Sequence, residues 1–148
     1  MKKLAPNKQT IELYKALIGA PLVIPYVGGI RAGFPSPAQD YEKKGIDLNE
    51  ALIKHPASTF FAKVKGDCLY QSFIFNGDIA IVDKSLEVRE GCKVVAYIND
   101  EFTMKTIKMG EGCVYLIPDN PDYETITVTP DEQFKIWGVV TYTIHKHY

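Results

Sequence analysis

Between residues 58 and 144 one pattern recurs seven times: a short run of β-branched and aromatic residues, then a break made of Gly, Asp, Asn or Pro. The runs are "STFFAKVK" (58–65), "IAIVD" (79–83), "KVVAYIN" (93–99), "EFTMKTIKM" (101–109), "CVYLI" (113–117), "YETITVT" (123–129) and "FKIWGVVTYTI" (134–144). Side chains of this kind suit a pleated, half-buried surface, and the breaks supply the turns between strands. The pattern therefore predicts an all-β body. Its clearest hairpin lies at Asn99-Asp100, because Asn and Asp tolerate the positive φ that a tight two-residue loop requires.

The first third of the chain has a different character. "KQTIELYKALI" (8–18) has partly helical spacing and predicts a short amphipathic helix. From residue 21 to 45, Pro21, Pro25, Pro35 and Pro37 and repeated glycines rule out a helix or a central strand and predict an extended arm. "DLNEALIKHP" (47–56) opens with Asp47 as a helix cap, has Glu50 three residues on, and stops before Pro56, which predicts one short helix.

At 148 residues the chain fits one domain, and folding would bury roughly 70% of its extended surface, enough to be stable without staples. A formal net charge of −1 offers no general polyanion-binding face. Cys68, Cys92 and Cys113 are odd in number and lack CxxC or paired-histidine companions, which argues against a disulfide framework and against a zinc site and favours the cytoplasm. His145 and His147 would share a face on a strand but lack a third ligand and read as tail residues, and "VGGIRAG" lacks the GK[ST] ending of a phosphate loop, so neither a metal nor a cofactor is expected. Glu12, Lys15, Pro21 and Pro25 interrupt the apolar N-terminal stretch, which excludes a membrane span there.

Two residues in the body carry possible chemistry. In "EFTMKTIKM", Lys105 shares a face with Thr103 and Ile107, whereas Phe102 and Met104 point the other way. At a sheet edge such a lysine would snorkel to water. On a buried face it would be desolvated, lose proton affinity and become available as a general base. Cys68 follows the Gly66-Asp67 turn, where a cysteine is either a small buried hydrophobe or a nucleophile held on a turn.

Residues 32–144 closely resemble the UmuD-type SOS mutagenesis proteins of the LexA-like self-cleaving peptidases. The motifs that carry the likeness are "AGFPSPAQDY" (32–41), "IDLN" (46–49), "HP" (55–56), "FNGDIAIVDKSL" (75–86) and "EFTMK" (101–105). The resemblance implies a mainly β, LexA/UmuD-like fold of curled antiparallel sheets, with an N-terminal arm (1–45), a peptidase domain (46–148) and one short helix. It implies self-cleavage at Ala32-Gly33, with Lys105 as base, position 68 as nucleophile, and the backbone of Asp67 and Cys68 as oxyanion donors. It also implies a cytoplasmic homodimer, stimulation by a RecA–single-stranded DNA filament, and service to the catalytic subunit of an error-prone translesion DNA polymerase. A membrane partner and sequence-specific DNA binding are not expected.

The family's nucleophile is serine, so Cys68 is a departure, as is Leu69 in place of the usual methionine. A thiol ionises far more easily than a hydroxyl, so a Cys–Lys pair can rest as thiolate and ammonium, and an ammonium is no base. Slow cleavage or none is expected. Cys68 is compatible with a Cys–Lys variant, an inactive member, or a replacement that preserves the uncut chain. The alternatives in function are a non-catalytic binding module and a LexA-like repressor remnant. A Cys68 beside a desolvated Lys105 should also alkylate faster than Cys92 or Cys113.

Overall fold

In the computed structural model, residues 11–16, 18–21, 23–25 and 45–148 are described. Eight strands among them form one antiparallel sheet: β1 (Ile11–Lys15), β4 (Thr59–Val64), β5 (Ile79–Asp83), β6 (Lys93–Ile98), β7 (Glu101–Met109), β8 (Val114–Ile117), β9 (Ile126–Val128) and β10 (Phe134–Ile144). Their spatial order is β1-β4-β5-β10-β6-β7-β8-β9. Two short strands, β2 (Val23–Pro25) and β3 (Gly45–Asp47), make a separate antiparallel ribbon that leads into the helix α1 (Leu48–Leu52).

The β body is the one the sequence predicts. β6 and β7 meet at a two-residue loop, with Ile98 opposite Glu101 and with Asn99 and Asp100 at φ 47° and 65°. Helix α1 has its expected cap: Asp47 Oδ1 accepts from the Asn49 N–H at 2.9 Å. The curled sheet encloses two apolar clusters. One gathers Ile11, Val64, Leu69, Ala80, Val82 and Met104, and the other Val94, Ala96, Ile107, Leu116, Val128 and Val139. Each fully enclosed Leu or Ile stabilises the fold by about 1.5–3 kcal/mol relative to exposure.

Three expectations need correction or limits. The helix expected over 8–18 is not found among the described residues of that stretch, where Ile11–Lys15 is instead the edge strand β1, paired from Ile11↔Val64 to Lys15↔Phe60. The residues that decided it are Ile11 and Leu13, which alternate onto the core face while Tyr14 stays outside. The backbone edge of β4 offers that alternation a ladder, which outweighs a weak helical preference. Likewise, the strand expected over 123–129 shrinks to Ile126–Val128, since a turn at Asn120–Tyr123 bends the chain elsewhere. Of the expected arm, residues 26–44, including Ala32 and Gly33, lie outside the described residues.

Strand β10 joins the halves of the sheet, pairing with β5 on one side and β6 on the other. Its register shifts at Gly138, where a Cβ would lie 2.6 Å from Val82 Cγ1. Next to that crossing, the buried Asp83 carboxylate accepts from the Ser85 N–H (2.8 Å), Ser85 Oγ (2.6 Å) and Ser58 Oγ (3.3 Å), and pairs with His55 Nδ1 at 2.6 Å. Burial alone would raise its proton affinity, but the hydrogen bonds from Ser85 and His55 hold it below the usual carboxylate value. Asp83→Ala strands several donors at once and is expected to lower the unfolding free energy by about 2–3 kcal/mol, measured by urea denaturation.

Candidate active site

The chain leaves β4 at Val64 and reverses through Gly66, whose φ of 95° suits glycine. This turn leads through the exposed Asp67 and carries Cys68 inward, and Asn76 Oδ1 fixes it by accepting from the Gly66 N–H at 2.9 Å. Cys68 follows with no exposed surface, and Leu69 packs beside it. On the opposite wall runs β7, from which Lys105 reaches across with 1% of its surface exposed.

The two side chains meet. Lys105 Nζ lies 3.3 Å from Cys68 Sγ and also donates to Thr103 Oγ1 at 2.8 Å and to the Met104 carbonyl at 3.3 Å. The Cys68 thiol donates to the same Met104 carbonyl at 3.4 Å. Of the two readings of Lys105, the buried face is therefore the one observed. Burial pushes its proton affinity below the ordinary lysine value, and the neighbouring Cys68 partly restores it. An amine in this position can give up its proton and accept another, which is the property a general base needs.

The lowered affinity also fixes a direction for stability. Below the ordinary lysine value, the unfolded chain binds a proton at this position that the native protein holds less tightly, so unfolding is favoured as pH falls. Native stability should therefore rise with pH across that alkaline window in the original protein, relative to a Lys105→Met variant that lacks the group. Urea denaturation of both proteins over a pH series measures the difference, and parallel curves would contradict it.

The surrounding residues include some that sequence reasoning missed. The loop 119–123 clamps the Asp67-Cys68 turn: the Asp119 N–H donates to the Cys68 carbonyl at 2.8 Å, and Asn120 Nδ2 to the Asp67 carbonyl at 3.0 Å. The Tyr123 hydroxyl donates to Asp67 Oδ1 at 2.7 Å, and its ring centre is 5.9 Å from Lys105 Nζ. That hydrogen bond to a carboxylate holds the phenol above its ordinary proton affinity. The only local signal was the turn composition of "PDNPDY", which predicts a bend but not what it grips.

Cys68 is fully buried, whereas Cys92 and Cys113 are partly exposed, so reagent access opposes the expected reactivity advantage of Cys68. Ala32 and Gly33 fall outside the described residues, as noted above. Among the described residues no group of three or more His, Cys, Asp or Glu side chains could hold a metal, and no helix is long and apolar enough to cross a membrane.

The arrangement has relatives. Residues 25–141 match the family described as Peptidase S24-like. MucA of Salmonella typhimurium is 42% identical over 124 residues, which span 82% of this chain and 84% of MucA. SamA of Salmonella typhimurium strain LT2 is 41% identical over 115 residues, covering 78% of this chain and 79% of SamA. The LexA repressor of Paracidovorax citrulli is 34% identical over 118 residues, covering 80% of this chain and 52% of that repressor. The family match runs from the β2–β3 ribbon into the last strand and includes both walls of the Cys68–Lys105 cleft, so this chain belongs to the Peptidase S24-like family.

Proposed function

We propose that the chain is the precursor form of an SOS-response mutagenesis protein that cuts itself at Ala32-Gly33. The observation that carries this reading is the 3.3 Å approach of Lys105 Nζ to Cys68 Sγ inside a water-poor cleft. In the proposed mechanism Lys105 takes the proton of the nucleophile. Cys68 Sγ attacks the Ala32 carbonyl, and the Asp67 and Cys68 N–H groups stabilise the resulting oxyanion. Lys105 then returns the proton to the Gly33 amine as it leaves, and water hydrolyses the acyl-enzyme.

In this reading the protein is a cytoplasmic homodimer. A RecA–single-stranded DNA filament promotes the cut, and the shortened product serves the catalytic subunit of a translesion DNA polymerase. Resemblance to the UmuD-type proteins supports these partners, as does similarity to MucA and SamA. Incubation with RecA, ATP and single-stranded DNA, followed by intact mass spectrometry, is expected to show slow formation of a product beginning at Gly33. A product cut at any other bond would overturn the assignment.

One observation favours a second reading. Cys68 replaces the family's serine and is wholly enclosed, as suits a non-catalytic binding module in which the uncut arm governs partner choice. Complete absence of cutting in the same incubation, with normal binding of partner, would favour it.

A further inference from the structure

Cys68 and Lys105 are two nucleophiles in direct contact, and that arrangement has a chemistry of its own. When peroxide oxidises a thiol to sulfenic acid, the sulfur becomes an electrophile that a nearby thiol or nitrogen can capture. Cys92 packs against the second apolar cluster, and Cys113 lies beside Gly110 in the β7–β8 turn. The nitrogen in contact with Cys68 Sγ is Lys105 Nζ, at 3.3 Å. Its burial favours the neutral amine, the form with a lone pair to donate.

We propose that Cys68 and Lys105 are a redox modification site, joined by a reversible sulfenamide cross-link when the protein meets hydrogen peroxide. In the first step the Cys68 sulfur attacks one peroxide oxygen. The O–O bond breaks, the thiol proton leaves with the departing oxygen as water, and Cys68 becomes a sulfenic acid. In the second step the Lys105 lone pair attacks that sulfur. An S–N bond forms, the S–O bond breaks, and the leaving hydroxide takes one amine proton to become a second water. Overall the pair loses two hydrogens and peroxide is reduced to two waters.

A reducing thiol reverses the reaction by attacking the sulfur and releasing the amine, and a second thiol then frees Cys68. The cross-link occupies nucleophile and base together, so while it lasts the cleft can neither attack a peptide nor move a proton. Cys68 is enclosed, so peroxide enters during the local opening that any approach of a peptide to this sulfur also needs. The inference does not depend on the peptidase reading, since the cross-link is measured without any cleavage of Ala32-Gly33.

The test uses the full chain carrying Cys92→Ser and Cys113→Ser, which removes competing disulfides. After exposure to hydrogen peroxide and blocking of free thiols, tryptic digestion is expected to yield residues 66–84 joined to residues 94–108. The pair should be about 2 Da lighter than the two separate peptides, with cutting after Lys105 lost in that fraction. Dithiothreitol should restore the separate peptides, and Lys105→Met or Cys68→Ser should abolish the joined species. The proposal is overturned if Cys68 proceeds to sulfinic acid while trypsin still cuts after Lys105. It is equally overturned if the joined peptides carry an additional oxygen, or if Cys68 stays reduced at peroxide levels that oxidise Cys92 and Cys113 in the unmodified chain.

Discussion

Cys68→Ser is expected to raise filament-stimulated cleavage at Ala32-Gly33 by about 100-fold, the scale on which misplacing a reacting atom by about 1 Å slows an enzymatic step. Sulfur is larger than oxygen and forms longer bonds, so in the proposed mechanism an attack from Sγ would displace the developing oxyanion from the Asp67 and Cys68 N–H groups. The serine hydroxyl also has little tendency to ionise, so it adds no anion that would work against the burial that favours a neutral Lys105. The body already holds two parts that the proposed mechanism uses, the desolvated amine and the loop 119–123 that bonds to the backbone of position 68. Time courses by intact mass spectrometry would measure the ratio. A serine form that stays uncut where a self-cleaving relative is cut would hand the assignment to the binding-module reading.

Within that serine form, Lys105→Ala is expected to reduce cleavage by about 10²–10⁴, the usual contribution of a positioned general base. The pH profile separates this role from a structural one. With Lys105 present, the rate should climb as the amine loses its proton and level off below the ordinary lysine value, because burial lowers that affinity. Without it, cutting should rise with hydroxide and show no plateau. The same plateau in both proteins would remove Lys105 from the mechanism. The fold should survive the change, since a buried amine is being deleted and Met104, Ile107 and the rest of the packing stay in place.

The body of this protein was legible because its information is local. Strands Ile79–Asp83, Lys93–Ile98, Glu101–Met109 and Phe134–Ile144 announce themselves by alternation and β-branching, and Asn99-Asp100 by its turn chemistry. The Asp47 cap was readable for the same reason. Ile11–Lys15 was not, since five residues cannot settle a period and the edge of β4 that recruits them is about 50 residues away in sequence. The alternation in β7 put Lys105 beside Thr103 and left open whether its face was wet or dry. Only the curl of the whole sheet settles that. The enclosure of Cys68 and the grip of Asp119, Asn120 and Tyr123 on its turn likewise arise from contacts between distant segments.

The position of β10 has a consequence for the timing of synthesis. Cys68 follows β4 and Lys105 sits on β7, and in the sheet these strands are connected through β5, β10 and β6. On a ribosome the first half, through β5, and the second half, from β6 to β9, emerge before the strand that unites them. Until residues 134–144 are available, no ladder holds the sulfur-bearing half in register with the lysine-bearing half. Before then, the described contacts that can draw the two reactive residues together include the grip of loop 119–123 on the Asp67-Cys68 turn. The sheet that fixes their spacing is complete only when translation has delivered the last strand.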